Sequence, residues 1–263
     1  MDLASGEKTI LTPGDYDIAT YYQIDDKNLY IVASPDNATQ RYLYRVPLNG
    51  SGKLTRITPQ QFEGVNTYDV SPNGKYAIHN FTNVSTPNTV SLVSLPKHKT
   101  VETLVDNEQL KSKLASLALP ETTFFNVTTD NGIQMDARMT KPLNFDARKK
   151  YPVLFHVYGE PWGVVATDQW VGLYELFMAQ QGFVVISIDN RGTPTLKGSD
   201  WRKSIYQKVG VINTNDQAAA AKKVLATYDF LDRDRVNVWG WSGGGSMTQN
   251  LLFRYPDVYQ TGV

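Results

Sequence analysis

One short run constrains the chain more than any other: Val236-Asn-Val-Trp-Gly240-Trp241-Ser242-Gly243-Gly244-Gly245. It sets a G-x-S-x-G pattern between a strand-like segment, Val236–Trp239, and a helical one, Ser246–Tyr255. A strand that turns at once into a helix forces two backbones together. Glycine two before and two after the serine relieves the clash, and the serine is held strained with its Oγ at the head of the helix. That is how a serine is presented as a nucleophile. The plain alternative is a Gly-rich turn around an ordinary serine.

Acyl chemistry at Ser242 needs donors for the oxyanion. The backbone N–H of Gly243, next after the serine, supplies one by geometry. The second belongs just after the third strand of the sheet, where the sequence reads His156-Val157-Tyr158-Gly159-Glu160-Pro161. No glycine run stands there. Tyr158 fits either as a phenolic donor or as a loop tyrosine packed on the strand end, and residue chemistry leaves both open. Elbow hydrolases order their triad Ser, Asp/Glu, His along the chain. Only 21 residues follow Ser242, and they hold Asp257 but no histidine. His79 falls in a strand, His98 in a turn, and His156 inside a buried strand as a structural residue. None has metal-ligand spacing, so no metal is assigned, and nothing calls for a cofactor. Asp189 and Arg191 read as a loop-fixing ion pair, and Glu160 as a solvated loop carboxylate or a partner for a substrate amine. Trp241 is either buried beneath the elbow or lining the cleft.

The residues before the elbow change rhythm near position 119. From there Phe124–Thr129 and Ile133–Thr140 flank an Asp-Asn-Gly turn as a hairpin. Val153–Val157, Phe183–Ile188 and Val236–Trp239 are apolar runs of the buried parallel-strand kind. Between them, a helix over Asp168–Gln181 is expected to put Trp170, Leu173, Tyr174 and Phe177 on one stripe, with Gly182 at its C-terminal cap. A second, over Asp216–Thr227, carries an alanine-rich face and opens on Asn215 or Asp216. Strand and helix alternate, which gives an α/β fold with a mainly parallel sheet. Residues 1 to about 118 read instead as short strands between turns. Asn28–Ala33 and Arg41–Val46 form one unit. Lys75–Asn80 and Val90–Leu95, parted by a Thr-Pro-Asn break, form another. Tyr30 to Tyr76 spans 46 positions and Leu43 to Leu92 spans 49. Hairpin units at that period are propeller blades, and two cannot close a ring.

Charges balance at 26 against 26, so no global field draws nucleic acid or an anionic membrane. The basic runs Lys97-His98-Lys99 and Arg148-Lys149-Lys150 read as solvated loops. No apolar stretch reaches the roughly 18 residues of a membrane span. Zero cysteines exclude disulfides, Fe–S clusters and a thiol nucleophile. No signal peptide follows Met1, and five N-x-S/T sequons (Asn37, Asn49, Asn80, Asn83 and Asn126) read as chance.

These motifs resemble the prolyl oligopeptidase family of serine peptidases, on its dipeptidyl peptidase IV-like branch. Gly240-Trp-Ser-Gly-Gly-Gly245 is similar to the G-W-S-x-G-G elbow, and Val157-Tyr-Gly-Glu-Pro161 to the V-Y-x-x-P segment whose tyrosine serves the oxyanion. Asp189-Asn-Arg-Gly192 resembles D-x-R-G, Asp232-Arg-Asp-Arg-Val236 resembles D-x-x-R-V, and Ser71-Pro-Asn-Gly-Lys-Tyr76 resembles a blade start. The resemblance implies an eight-bladed propeller on an α/β-hydrolase domain with the active site between them. Residues 1–118 would be about two final blades and residues 119–263 the first part of the catalytic domain. It implies Tyr158 as an oxyanion donor and cleavage of peptides after proline or alanine, with the triad acid and histidine beyond residue 263. Gly243 departs from the tyrosine of the animal enzymes. The expectation is a bacterial serine exopeptidase, periplasmic or secreted, that takes peptide substrates, with a homodimer kept as an option for the intact protein. A non-catalytic peptide-binding scaffold and a small-ester esterase are the alternatives. The 263 residues alone are expected to be inactive and prone to associate.

Overall fold

The computed structural model describes residues 3–23, 25–170 and 173–263. Period-two alternation of apolar and polar residues builds two four-stranded antiparallel sheets in the first part. The first holds β1 (Ile18–Gln23), β2 (Asn28–Ala33), β3 (Tyr42–Pro47) and β4 (Thr55–Arg56) in that order. The second holds β5 (Val65–Val70), β6 (Tyr76–Asn83), β7 (Thr86–Ser94) and β8 (Lys99–Val105). Tyr30, Val32 and Leu43 of the first sheet pack with Tyr68, Ala77 and Val93 of the second. Ile31, Ala33, Tyr42, Tyr44 and Val46 point the other way into a core of their own.

Two local expectations fail here. The Thr-Pro-Asn break at 86–88 is strand: β7 begins at Thr86, paired with Asn83, and the turn is Val84-Ser85. The run Lys97-His98-Lys99 is not wholly solvated. Both lysines are exposed, but His98 has φ 51° and its buried Nε2 meets Tyr68 Oη at 2.8 Å. His98 thereby joins His79, whose Nε2 lies 2.8 Å from Asn66 Oδ1, and the two rings stand 4.6 Å apart.

The second part begins with α1 (Glu108–Ala115) and the strands β9 (Thr122–Thr128), β10 (Gln134–Thr140) and β11 (Tyr151–His156). Then come α2 (Leu173–Gln180), β12 (Val184–Ile188), α3 (Ser199–Lys203), α4 (Ile212–Thr227), β13 (Leu231–Trp239), α5 (Gly243–Arg254) and β14 (Thr261–Gly262). The sheet order is β14-β13-β11-β12-β10-β9, parallel among its first four members and antiparallel at the β12–β10 and β10–β9 pairings. This is the partial, mainly parallel sheet of an α/β-hydrolase. One face carries Met135, Ala137, Val153, Phe155, Val184, Ile186, Val236 and Val238, covered by α4 and α5. Ala218, Ala220 and Ala221 let α4 lie close to that face, and Met247 and Leu251 fill the space beneath α5.

By contact density the chain forms two units. One runs to Lys111 and takes in Asp168–Trp170 and Leu196–Gly198; the other holds the rest. Asp168 belongs to the first, accepting from Gln40 Nε2 at 2.9 Å and Val84 N at 3.0 Å.

Helix α2 departs from the sequence expectation. Trp170 stands outside it, residues 171 and 172 lie outside the described residues, and Leu173, Tyr174 and Phe177 are exposed. Glu175, Leu176 and Ala179 face inward. The sheet face beneath offers Arg138 and His156 beside the aliphatic Leu154 and Val185, which pack with Ala179. Glu175 Oε1 accepts from Arg138 Nη2 at 2.9 Å and lies 2.7 Å from His156 Nδ1. Burial alone would raise the Glu175 carboxyl. The His156 hydrogen bond and the Arg138 charge outweigh it and hold the group below its ordinary range.

The paired imidazoles of the second sheet give a testable acid sensitivity. Burial, then the neighbouring His98, pushes His79 down from 6.5 to about 3. The unfolded chain takes up that proton as pH falls through 6.5, whereas the folded one does not until near 3. Stability is therefore full above pH 6.5 and falls within that window. Chemical denaturation should show a loss of roughly 2–3 kcal/mol from His79 between pH 6.5 and 4.5, and His79→Gln should flatten the slope. An unchanged slope in the variant would refute this.

Candidate active site

Strand β13 ends at Trp239 and α5 starts at Gly243, leaving three residues for the reversal. Ser242 takes φ 57° and ψ −117°, a strained conformation for a non-glycine residue, and makes no side-chain capping bond. It is exposed at the head of the helix, as is Trp241, at 84%. Trp241 is thus not buried beneath the elbow.

The flanking glycines meet backbone. A methyl added at Gly240 would come 2.5 Å from Val157 O and 2.5 Å from the Gly244 carbonyl, and one at Gly244 would collide with Val157 O. Gly245 has room, its nearest neighbour being Gly240 O at 3.5 Å. The end of β11 is therefore pressed against the elbow, with Tyr158 Cα 3.4 Å from the position of a Gly244 methyl.

Two donors stand without a partner, one at the elbow and one on the loop beside it. Gly244 N is occupied by Trp241 O at 2.9 Å and Gly245 N by Ser242 O at 2.9 Å, whereas no partner takes Gly243 N–H among the described residues. Tyr158 is half-buried with its ring against Gly163, and among the described residues its hydroxyl has no hydrogen-bond partner. The structure sets the backbone of Tyr158 and the carboxylate of Glu160 against the elbow that carries Ser242 and Gly243.

The histidines stay away from the serine. His79 and His98 are tied to Asn66 and Tyr68. His156 is held by Glu175 and stacks on Trp239 at 4.4 Å between ring centres. Asp257 forms an exposed ion pair with Lys222 at 2.9 Å.

The expected Asp189–Arg191 pair is absent. Asp189 is buried and accepts from Val165 N at 2.9 Å and Ala166 N at 3.0 Å. Burial pushes its carboxyl up to about 6 against those two bonds. Arg191 turns instead to Asp216, at 2.9 Å from Nε and 2.7 Å from Nη2. Asp216 is accordingly no cap: α4 begins a turn earlier, at Ile212.

Sequence reading passed over a buried amide cluster that supports the loop after Tyr158. Asn190 Nδ2 and Asn213 Nδ2 both donate to Gly159 O, at 3.1 and 2.9 Å, and Gln217 Nε2 donates to Asn190 Oδ1 at 2.9 Å. Its one sequence signal is polar residues on an otherwise apolar helix face. Among the described residues no cluster of metal-ligating side chains occurs, and no helix is long and apolar enough to cross a membrane.

Residues 171–263 match the model of the prolyl oligopeptidase family, and residues 1–88 match that of the dipeptidyl peptidase IV (DPP IV) N-terminal region. By these two matches the chain is similar to the prolyl oligopeptidase family, and the likeness is to its dipeptidyl peptidase IV-like members. It is 28% identical to dipeptidyl peptidase 4 of Trichophyton equinum, over 98% of this chain and 34% of that protein. Dipeptidyl peptidase 4 of Arthroderma otae matches with the same identity and coverage. The crystal structure of Porphyromonas gingivalis dipeptidyl peptidase 4 superposes with a TM-score of 0.88 at 29% identity, over 96% of this chain and 35% of that one. The chain thus spans about a third of the length of these relatives.

The two glycines that meet backbone should be irreplaceable and the third dispensable. Gly244→Ala is expected to lower stability by about 1–3 kcal/mol, the cost of overpacking, while Gly245→Ala melts as the parent does. Equal melting of the two variants would contradict the close approach.

Proposed function

We propose that this chain carries the nucleophile and oxyanion hole of a serine dipeptidyl peptidase, acting on peptides with proline or alanine in the penultimate position. The observation that carries the reading is Ser242: a strained, exposed serine at the head of α5, with the unpartnered Gly243 N–H beside it. Ser242 Oγ attacks the scissile carbonyl. Gly243 N–H and the Tyr158 hydroxyl donate to the oxyanion that forms. The helix N-terminus adds its partial positive charge to the same place. The reaction needs a histidine, oriented by an acid, to take the serine proton; His79, His98 and His156 are each engaged away from Ser242. The names of the relatives support a peptidase over a scaffold or an esterase.

Fluorophosphonate labelling of the full-length natural protein tests the nucleophile without a guess at the substrate. Ser242→Ala should abolish labelling, and labelling that persists would overturn the proposal. Tyr158→Phe should retain the fold and lower kcat by on the order of 10²–10³-fold, the cost of one oxyanion donor. An unchanged kcat would remove Tyr158 from the site.

A further inference from the structure

The space on the side-chain side of Gly243 is filled by Glu160. A methyl added at Gly243 would lie 2.5 Å from Glu160 Cδ and 3.1 Å from Oε1, and would collide with Oε2. Gly243 is buried and Glu160 half-buried, so the carboxylate is seated against the elbow rather than waving in solvent. Among the described residues no lysine, arginine or hydrogen-bond donor pairs with it. Its one electrostatic support is the start of α5, a helix of 12 residues whose N-terminus favours an anion.

We propose that Glu160 is a specificity-determining residue that selects a cationic side chain, lysine or arginine, next to the scissile bond. The inference rests on Ser242 being the nucleophile. A carboxylate touching the residue that follows the nucleophile lies within one side chain's reach of the carbonyl under attack. Two effects then act in one direction. An ammonium or guanidinium on the substrate gains a partner that the protein leaves unpaired. The oxyanion also forms close to a fixed negative charge, which raises its energy unless a cation stands by to offset it. A neutral flanking residue gains nothing from Glu160 and suffers the repulsion; an acidic one suffers twice.

The test uses the full-length natural protein and quenched-fluorescence peptides cut at one alanine-containing bond. Lysine, norleucine or glutamate is placed on one flank of that bond in turn, with every other residue fixed. The wild-type protein should show kcat/KM at least tenfold higher for lysine than for norleucine on one flank, and lowest for glutamate. Glu160→Gln should slow the lysine peptide about tenfold while leaving the norleucine peptide unchanged or faster, and Glu160→Lys should invert the order. A role in folding alone would slow all three peptides together, and that result overturns the proposal. So does an unchanged charge ranking in variants that still label with fluorophosphonate. Failure of the wild-type protein to label would sink the peptidase reading, and this inference with it.

Discussion

The arrangement around Ser242 depends on one contact, the approach of the end of β11 to the turn between β13 and α5. Val157 O occupies the space that side chains at residues 240 and 244 would need. Because the contact is backbone on backbone, it cannot be relaxed by a rotamer change, and the positions of Tyr158 and Glu160 follow from it. The loop beyond is fixed from the other side by Asn190 and Asn213, which hold Gly159 O, and by Gln217, which holds Asn190. Buried amides serve well here because each is satisfied by a backbone carbonyl or another amide, with no charge to desolvate.

The other face of the same sheet is organised by charge. Arg138, Glu175 and His156 meet under α2 with the carboxylate shared between two donors. An isolated charge at such a site would be costly, and the triad is tolerable because each member answers another. It also sets the rotation of α2, since Glu175 can reach Arg138 and His156 only by turning Leu173 and Phe177 outward.

That rotation marks where sequence reading stops. The elbow was legible because its glycines answer to local backbone geometry, which a pattern of five residues states in full. The alternation of strands and helices in the second part was legible for a similar reason, since buried parallel strands are apolar throughout. Helix α2 misled because the surface beneath it mixes Leu154 and Val185 with a charged pair, and Arg138, the partner of Glu175, lies 37 positions away in the chain. Asp189 and Arg191 misled in the same way. Opposite charges two residues apart suggest each other, while the actual partner of Arg191, Asp216, lies 25 positions on. Glu160 was noticed as a carboxylate near Tyr158, but its seat against Gly243 comes from the folding of the chain.

That seat has a consequence for how the protein can change. A side chain at residue 243 and a carboxylate at residue 160 compete for one volume. Unlike the backbone contact at 240 and 244, this one yields to a rotamer change, so a ring at 243 would swing the Glu160 carboxylate away from the elbow rather than break the fold. The two positions lie 83 apart in sequence, yet the size of one side chain sets where the charge of the other can stand.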